Sequence, residues 1–368
     1  MQLRLTILLL IVSTLCYGQG QDAEDYNIKT DTATIKNFSF LAVPIAFYTP
    51  ETSFGFGGGT QIFFKSKKST ISSQISNVFG TVIYTLNKQL IVQAQSKIFF
   101  DEDNYVLDSD IKYQIFPNVF WGLGYNTPDS NAENYNQTET AITVSLLKQL
   151  PPFINFGFQF SYSNYIMTEV QTEGILASDT IEGSSGAKLI GLGVVLNFDT
   201  RDNYFSPLVG GLYQFKTNFT SKAMGSTHTF NTYHLDLRKF IKLPRKQVLA
   251  MQFYTRLTFG NAPFQAQSYY GGANLARGYF RGRYIDQNLY VVQVEYRLPV
   301  FKRWEVAVFA LTGNVGRSNQ SLFNDFKSSI GFGPRYFISK NNRSLLRLDI
   351  GFNSKGGTGI YFGVNEAF

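Results

Sequence analysis

The sequence predicts an all-β protein, a sixteen-stranded antiparallel transmembrane β-barrel of the outer-membrane type. Charged residues make up only 16% of the chain, against about 25% in ordinary soluble domains. Aromatic residues are abundant, with 35 Phe and 22 Tyr. Apolar and polar residues alternate along most of the chain, so each predicted strand has two unlike faces. Beyond the N-terminal segment, no apolar run reaches the roughly 18 residues that a membrane helix needs.

The alternating segments begin at residue 53 and are separated by turn signals. We count sixteen of them: 53–65, 71–85, 88–100, 105–116, 119–127, 136–149, 153–167, 187–199, 209–222, 227–242, 246–260, 287–299, 304–315, 326–339, 343–353 and 357–368. An even count agrees with a closed barrel. Segment 38–48 is also strand-like, but Pro44 interrupts it, and we treat it as a lead-in to the barrel.

The charged side chains of these segments fall on one face. Glu295 and Arg297 share a face of segment 287–299, and Arg347 shares a face of segment 343–353 with Asp349. A lysine or arginine that faces lipid at mid-bilayer costs about 2–4 kcal/mol. We therefore expect these side chains to face the lumen and the apolar faces to meet the outer-membrane lipid bilayer.

The N-terminal segment predicts export from the cytoplasm. Residues 1–18 are typical of a secretory signal peptide, because Arg4 is followed by an apolar run and then by small residues. We expect residues 19–37 to be a short periplasmic tail and residues 38–368 to form the barrel. Cys16 is the only cysteine and would leave with the signal peptide, which excludes a disulfide framework or a cysteine-based metal site.

Several function classes find no support in the sequence. The formal net charge is +7, but the basic residues are scattered, so nucleic acid is not an expected partner. His228 and His234 are the only histidines, and no spacing singles out a serine or threonine as a nucleophile. We therefore predict no enzyme activity, no catalytic residues, no metal site and no cofactor.

Four motifs of the sequence are characteristic of one protein family. They are the loop sequence Ala276-Arg277-Gly278-Tyr279, the strand sequence Val294-Glu295-Tyr296-Arg297-Leu298-Pro299, the turn Asp199-Thr200-Arg201-Asp202-Asn203 with Phe205, Pro207 and Gly210, and the terminal Phe368. The chain resembles the bacterial surface antigen family, the BamA/TamA-type outer-membrane assembly barrels, over residues 38–368. Family members of the assembly branch carry periplasmic POTRA domains before the barrel, and none fits in residues 19–37.

The loop motif and Glu295 form our principal candidate site. We expect the loop 261–286 to fold into the lumen, where Arg277 needs a carboxylate and Glu295 is the candidate partner. Gly278 would let the loop backbone approach the wall, and Tyr279 would pack on the lumen side. The alternative is an ordinary surface loop with an exposed Arg277.

One strand departs from the family pattern. The family motif Phe-x-Asp-x-Gly here reads Phe309-Ala310-Leu311-Thr312-Gly313, with Leu311 in place of the aspartate. We therefore expect a lock on Arg277 to rest on Glu295 without a second carboxylate.

A second candidate site is the seam where the first and last strands close the barrel. Segment 53–65 carries Gly55, Gly57 and Gly59, and the last segment carries Gly363. Glycine weakens a strand interior, so this seam would be the weakest ladder and could open sideways. The alternative is that these glycines relieve crowding in a tightly curved, permanently closed barrel.

The last segment also carries the terminal aromatic residue. Its alternation places Phe362, Val364 and Glu366 on the outward face, with Phe368 at the membrane interface. The family resemblance implies that Phe368 is the C-terminal signal read when this barrel is itself assembled.

Together these features predict an integral barrel of the Gram-negative-type outer membrane. The resemblance implies that it inserts or passes a polypeptide or lipid client, with a separate periplasmic adaptor or chaperone as a possible partner. The alternative is a passive pore or surface receptor without insertase activity. A lipid hydrolase ranks last because the sequence offers no site for it.

Overall fold

The computed structural model describes residues 38–64, 75–150, 153–339 and 343–368. Sixteen of the strands in these ranges form one closed antiparallel barrel, which confirms the predicted fold. The barrel strands are β1 (Phe38–Thr49), β2 (Ser53–Phe64), β3 (Ser76–Thr85), β4 (Leu90–Phe100), β5 (Tyr105–Phe120), β6 (Glu133–Leu150), β7 (Ile154–Val170), β8 (Ala187–Asp199), β9 (Gly210–Thr220), β10 (Phe230–Lys242), β11 (Val248–Gly260), β14 (Asn288–Phe301), β15 (Trp304–Gly316), β16 (Lys327–Ser339), β17 (Ser344–Asn353) and β18 (Thr358–Val364). The predicted signal peptide and the tail 19–37 lie outside the described residues.

Two short strands do not belong to the barrel wall. β12 (Ser268–Tyr270) and β13 (Tyr284–Asp286) pair with each other inside the connection between β11 and β14. β11 therefore pairs directly with β14 across this insertion. The only α-helix in the described ranges is the single turn α1 (Asn319–Leu322), and these ranges contain no helix long and apolar enough to cross a membrane.

The strand count was correct, but two of the assignments behind it were wrong. β1 is a full barrel strand and not a lead-in, whereas 119–127 is not a separate strand, because β5 runs unbroken to Phe120. Pro44 is tolerated because its stretch of β1 pairs with β2 on one side only, so the missing N–H faces no neighbouring strand on the other side. After β5 the chain leaves the ladder at Gly122 and Gly124, whose φ angles are 95° and 119°.

The two faces of the wall divide as expected. In β14, Gln293, Glu295 and Arg297 are almost fully buried. On the opposite face, Val292 and Val294 are 40% and 38% exposed, which is the surface that lipid would cover. The lumen therefore holds the charges and the outside of the barrel is apolar.

The longest connections of the described ranges lie at one end of the barrel. At one end, here the loop end, they include 121–132, 171–186 and 261–287. At the opposite end, here the turn end, they include 101–104, 200–209 and 243–247. The connection 261–287, here the lumen loop, carries the candidate motif.

The lumen loop folds inside the barrel. Phe264, Tyr270 and Ala276 are fully buried, and Tyr279 is 3% exposed. Tyr270 and Tyr279 join an apolar cluster with inward-facing wall residues such as Leu311. The loop thus lies in the lumen, where Arg277 is fully buried and not exposed on the surface.

Candidate functional site

Gly278 brings the loop backbone into contact with the barrel wall. Its N–H donates to Tyr361 Oη at 3.0 Å, and its carbonyl accepts from Asn353 Nδ2 at 2.6 Å. Its φ is 102°, and a Cβ added there would lie 2.6 Å from Ser329 Oγ. Only glycine meets both the backbone angle and the close approach, so this residue fixes the depth of the motif in the lumen.

Tyr279 fastens the same turn from the other side. Its hydroxyl lies 3.0 Å from Ser354 Oγ, and its carbonyl accepts from Tyr361 Oη at 3.0 Å. Its ring packs edge-on against Tyr270 at 5.2 Å between centroids. The predicted packing of Tyr279 on the lumen side is therefore present.

Arg277 lies between two buried carboxylates. Its Nη1 is 2.7 Å from Glu295 Oε2 and 2.7 Å from Asp349 Oδ2. Its guanidinium also stacks over the ring of Phe309, 3.6 Å from the centroid. The predicted contact with Glu295 is present, and the ring face adds a cation–π contact in a site shielded from water.

The expectation of a single carboxylate was wrong. Asp349 on β17 supplies the second one, while Leu311 is 5% exposed and packs in the apolar cluster. The second carboxylate of the lock therefore lies on a different strand from the one that the family motif implies. The sequence showed that Asp349 faces inward, but not that β17 and β14 converge on the same loop residue.

Two further arginines extend this arrangement toward the turn end. Arg335 Nη1 donates to Asp349 Oδ1 at 2.6 Å, and its Nη2 lies 3.3 Å from Glu295 Oε2. Arg297 Nε donates to Glu295 Oε1 at 2.8 Å. The two acids that hold Arg277 are thus also held by Arg335 and Arg297.

Within the described residues, we define the arginine–carboxylate cluster by seven side chains. They are Arg277, Arg297, Arg335, Arg347, Glu295, Asp349 and Glu366. Each is less than 10% exposed. Removing one partner from a buried ion pair costs about 3–5 kcal/mol, since it leaves an uncompensated charge. The cluster therefore couples several strands and the loop strongly.

The C-terminal residues turn into the lumen. β18 ends at Val364, and Asn365 has a φ of 62°, a left-handed conformation that asparagine tolerates. Glu366 Oε2 then accepts from Arg335 Nε at 3.0 Å, and Phe368 is 5% exposed beside Phe240. The outward placement of Glu366 and the membrane-interface placement of Phe368 were wrong, because the turn at Asn365 ends the alternation of β18.

The turn 200–209 closes over these residues. Asp202 Oδ1 accepts from Leu208 N at 2.8 Å, and Asn203 Oδ1 accepts from Phe205 N at 2.8 Å. In this turn, the Pro207 carbonyl accepts from Arg297 Nη1 at 3.4 Å. The Phe205 carbonyl accepts from Glu366 N at 3.3 Å, which gives the family turn motif a structural role at the turn end.

Arg256 is a site residue that sequence reasoning did not select. Its Nη1 donates to the Gln267 carbonyl at 2.6 Å, and its Nη2 donates to the Ala266 carbonyl at 2.5 Å. It holds the start of the lumen loop to β11. Its acceptors are backbone oxygens, which leave no signal in the sequence.

The seam lies elsewhere than predicted. β1 pairs with β2 along its whole length, from Phe38 opposite Phe64 to Thr49 opposite Ser53. Over the described residues, β1 and β18 share one register pair, Tyr48 with Phe362. The closing seam is therefore a sparse ladder, as expected, but it joins β1 to β18.

The glycines take different places around this seam. Gly55, Gly57 and Gly59 lie on β2, opposite β1, so their assignment to the seam was wrong. The error follows directly from treating β1 as a lead-in. Gly363 lies on the seam strand β18, where it is opposite Arg347 of β17.

The remaining part of the lumen holds a polar cavity of about 420 Å³. It is lined by strands β4 to β9, away from the arginine–carboxylate cluster. Lys112 Nζ pairs with Glu139 Oε1 at 2.9 Å, and Gln93 Nε2 donates to Asp110 Oδ2 at 2.8 Å. One part of the lumen is thus filled by the lumen loop and the arginine–carboxylate cluster, and the other part contains the polar cavity.

Comparisons with known proteins agree with this architecture. No curated protein matches the chain. The barrel is similar to BamA from Haemophilus ducreyi lacking POTRA domains 1–3, with a TM-score of 0.63 and 11% identity, covering 89% of this chain and 70% of that one. It is also similar to CdiB from Acinetobacter baumannii, with a TM-score of 0.55 and 13% identity, covering 89% of this chain and 59% of that one. At such low identities, the two TM-scores establish a common fold and no more.

The family itself is established by a match along most of the sequence. The model of the Omp85 superfamily domain matches residues 55–368. This range contains the loop motif, Glu295, Asp349 and the terminal Phe368. The chain belongs to the Omp85 superfamily and is an integral β-barrel of the outer-membrane type.

Proposed function

We propose that this protein is a non-enzymatic assembly or translocation barrel that inserts or passes a client through an opening between β1 and β18. The observation that carries the proposal is that β1 and β18 share a single register pair, Tyr48 with Phe362, whereas the neighbouring ladders β1–β2 and β17–β18 pair along most of their length. A closed barrel satisfies its backbone groups between strands, and lipid offers no substitute for them. The seam is therefore where the wall separates at least cost.

The chemistry of the seam favours a polypeptide client over a lipid. Sparse pairing leaves backbone donors and acceptors of β1 and β18 available along the two edges. An extended segment of another chain can add to such an edge through main-chain hydrogen bonds. Since these bonds do not depend on side chains, one seam could receive clients of many sequences.

The filled lumen argues against the passive pore. A pore needs a water-filled channel through the barrel, whereas the lumen loop and the arginine–carboxylate cluster occupy one half of this lumen. At the turn end, Glu366 and the turn 200–209 are in contact. The resemblance to BamA/TamA-type barrels supports the assembly function and a separate periplasmic partner.

A disulfide across the seam tests the proposal. Residues directly opposite in antiparallel strands have Cα atoms about 4.5–5.5 Å apart, which is within the range that a disulfide spans. Tyr48→Cys with Phe362→Cys should crosslink and abolish assembly of other outer-membrane proteins in cells that depend on this barrel. Reduction should restore it.

A neighbouring ladder provides the matched control. Tyr48→Cys with Phe54→Cys uses the same β1 position and crosslinks it to β2, a ladder that we expect to stay closed. This pair should leave assembly intact. Full assembly with the seam crosslinked would overturn the proposal, and loss of the uptake of one solute on deletion of the gene would favour the pore instead.

A further inference from the structure

We infer that residues 365–368, here the tail, are a latch that controls how firmly the lumen loop is held. The inference concerns regulation of the barrel for which we propose an assembly function, but it rests on contacts inside the lumen. These contacts link the tail to the loop motif through shared partners.

The tail is held by charge, packing and backbone contacts. Glu366 Oε2 lies 3.0 Å from Arg335 Nε, and its Oε1 lies 3.6 Å from Arg297 Nε. The Phe368 carbonyl accepts from Arg297 Nη2 at 3.2 Å. The centroid of the Phe368 ring lies 6.5 Å from the centroid of the Phe240 ring. The tail is therefore bound to the lumen wall through several contacts.

The same two arginines reach the acids that hold the loop. Arg335 contacts both Glu295 and Asp349, and Arg297 contacts Glu295. Both acids contact Arg277. Glu366 and Arg277 therefore lie at opposite ends of one continuous network of ion pairs.

The charge balance of the network sets the direction of the coupling. The cluster has four arginines and three carboxylates among the described residues. Without Glu366, four arginines would share two carboxylates in a buried site. Arg335 and Arg297 would then compete more strongly with Arg277 for Glu295 and Asp349. The net electrostatic attraction on Arg277 would therefore fall. A docked tail tightens the loop, and a withdrawn tail loosens it.

The tail is also placed to respond to movement of the seam strand. It follows β18 directly, and Asn365 N donates to the Leu345 carbonyl of β17 at 2.8 Å. Displacement of the β17–β18 hairpin would carry Glu366 away from Arg335 and Arg297. Movement at the seam would in this way release the lumen loop, which lies on the opposite side of the cluster.

Hydrogen exchange of the lumen loop in the purified barrel tests this latch. Backbone exchange reports local opening, and peptides covering residues 270–287 can be followed by mass spectrometry. Glu366→Gln should speed their exchange several-fold, toward the rate of Arg277→Ala. Asp110→Asn is the matched control, because Asp110 is an inward carboxylate that accepts from Gln93 beside the polar cavity, outside the cluster, and it should leave loop exchange unchanged.

A second variant keeps the test decisive if Glu366→Gln does not fold. Phe368→Ala retains every charge of the cluster but removes the packing on Phe240, and it should also speed loop exchange. The latch would be overturned if a folded tail variant exchanged its lumen loop no faster than the Asp110→Asn control while Arg277→Ala exchanged fast. This readout needs no client, so it fails or succeeds independently of the seam crosslink.

Discussion

Glu366 pairs with Arg335 inside the barrel, with Oε2 3.0 Å from Nε. Arg335 Nη1 at the same time lies 2.6 Å from Asp349 Oδ1, and Asp349 holds Arg277 of the lumen loop. A single guanidinium thus joins the tail behind the last strand to the motif of the loop. The loop motif and the C-terminal residues, which the sequence suggested as separate sites, belong to one network.

The pair Arg277–Glu295 should show strong energetic coupling. Arg277→Ala and Glu295→Ala should each lower the free energy of unfolding by about 3–5 kcal/mol, because each leaves a buried charge without its partner. The double variant should lose clearly less than the sum of the two. Unfolding midpoints of the purified barrel measure this, and additive losses would contradict the pairing.

Asp349 should matter as much as Glu295. Asp349→Asn weakens the hold on Arg277 and on Arg335 together, so we expect a loss of about 3–5 kcal/mol. Asp110→Asn is the control, because Asp110 is an inward carboxylate that accepts from the neutral Gln93 and Gln95. Equal unfolding midpoints for the two variants would show that Asp349 is not the second carboxylate of the lock.

The sequence predicted which face of a strand each side chain occupies, but it did not predict the contacts between side chains on distant strands. Alternation correctly placed Glu295, Arg297, Arg347 and Asp349 in the lumen, because a charge on the lipid face is costly. It could not show that Asp349 meets Arg277, since that depends on how far the loop descends. The pairing with Glu295 was expected because Glu295 faces inward on the strand that follows the loop, and the family resemblance favoured it.

The errors at the ends of the barrel have local physical causes. Pro44 was interpreted as an interruption of strand structure. β1 tolerates this proline because, near Pro44, β1 pairs with β2 and not with β18. Glu366 was predicted to face outward and Phe368 to lie at the membrane interface, yet Asn365 adopts a φ of 62° and both residues lie in the lumen. A single left-handed residue leaves too weak a signal in one sequence to be predicted.

Gly278 should be intolerant of any side chain. Gly278→Ala combines a φ of 102° with a Cβ 2.6 Å from Ser329 Oγ, and such strain costs of order 1–3 kcal/mol. Gly80→Ala is the control, because Gly80 has no atom within 4 Å of an added Cβ. We expect a lower unfolding midpoint only for Gly278→Ala. A normal midpoint together with normal exchange of the lumen loop would contradict the close approach.

An ion pair at the loop end should give a local acid dependence. Lys355 Nζ lies 2.9 Å from Asp325 Oδ1, and Lys327 Nζ lies 3.3 Å from its Oδ2. Burial raises the pKa of Asp325, but the hydrogen bond from Lys355 and the attraction of Lys327 outweigh it and bring the pKa below 3.8. A depressed pKa in the folded state gives stability that is present above the unfolded pKa and lost as the pH falls through the folded pKa.

The measurement compares Asp325→Asn with the unchanged protein across pH. At neutral pH the variant should have the lower unfolding midpoint, and the difference should shrink as the pH falls below 3.8, the ordinary pKa of the group. The effect should be small, because surface pairs contribute only about 0–1 kcal/mol. A difference that persists unchanged in acid would show that Asp325 acts through its shape or its neutral hydrogen bonds and not through its charge.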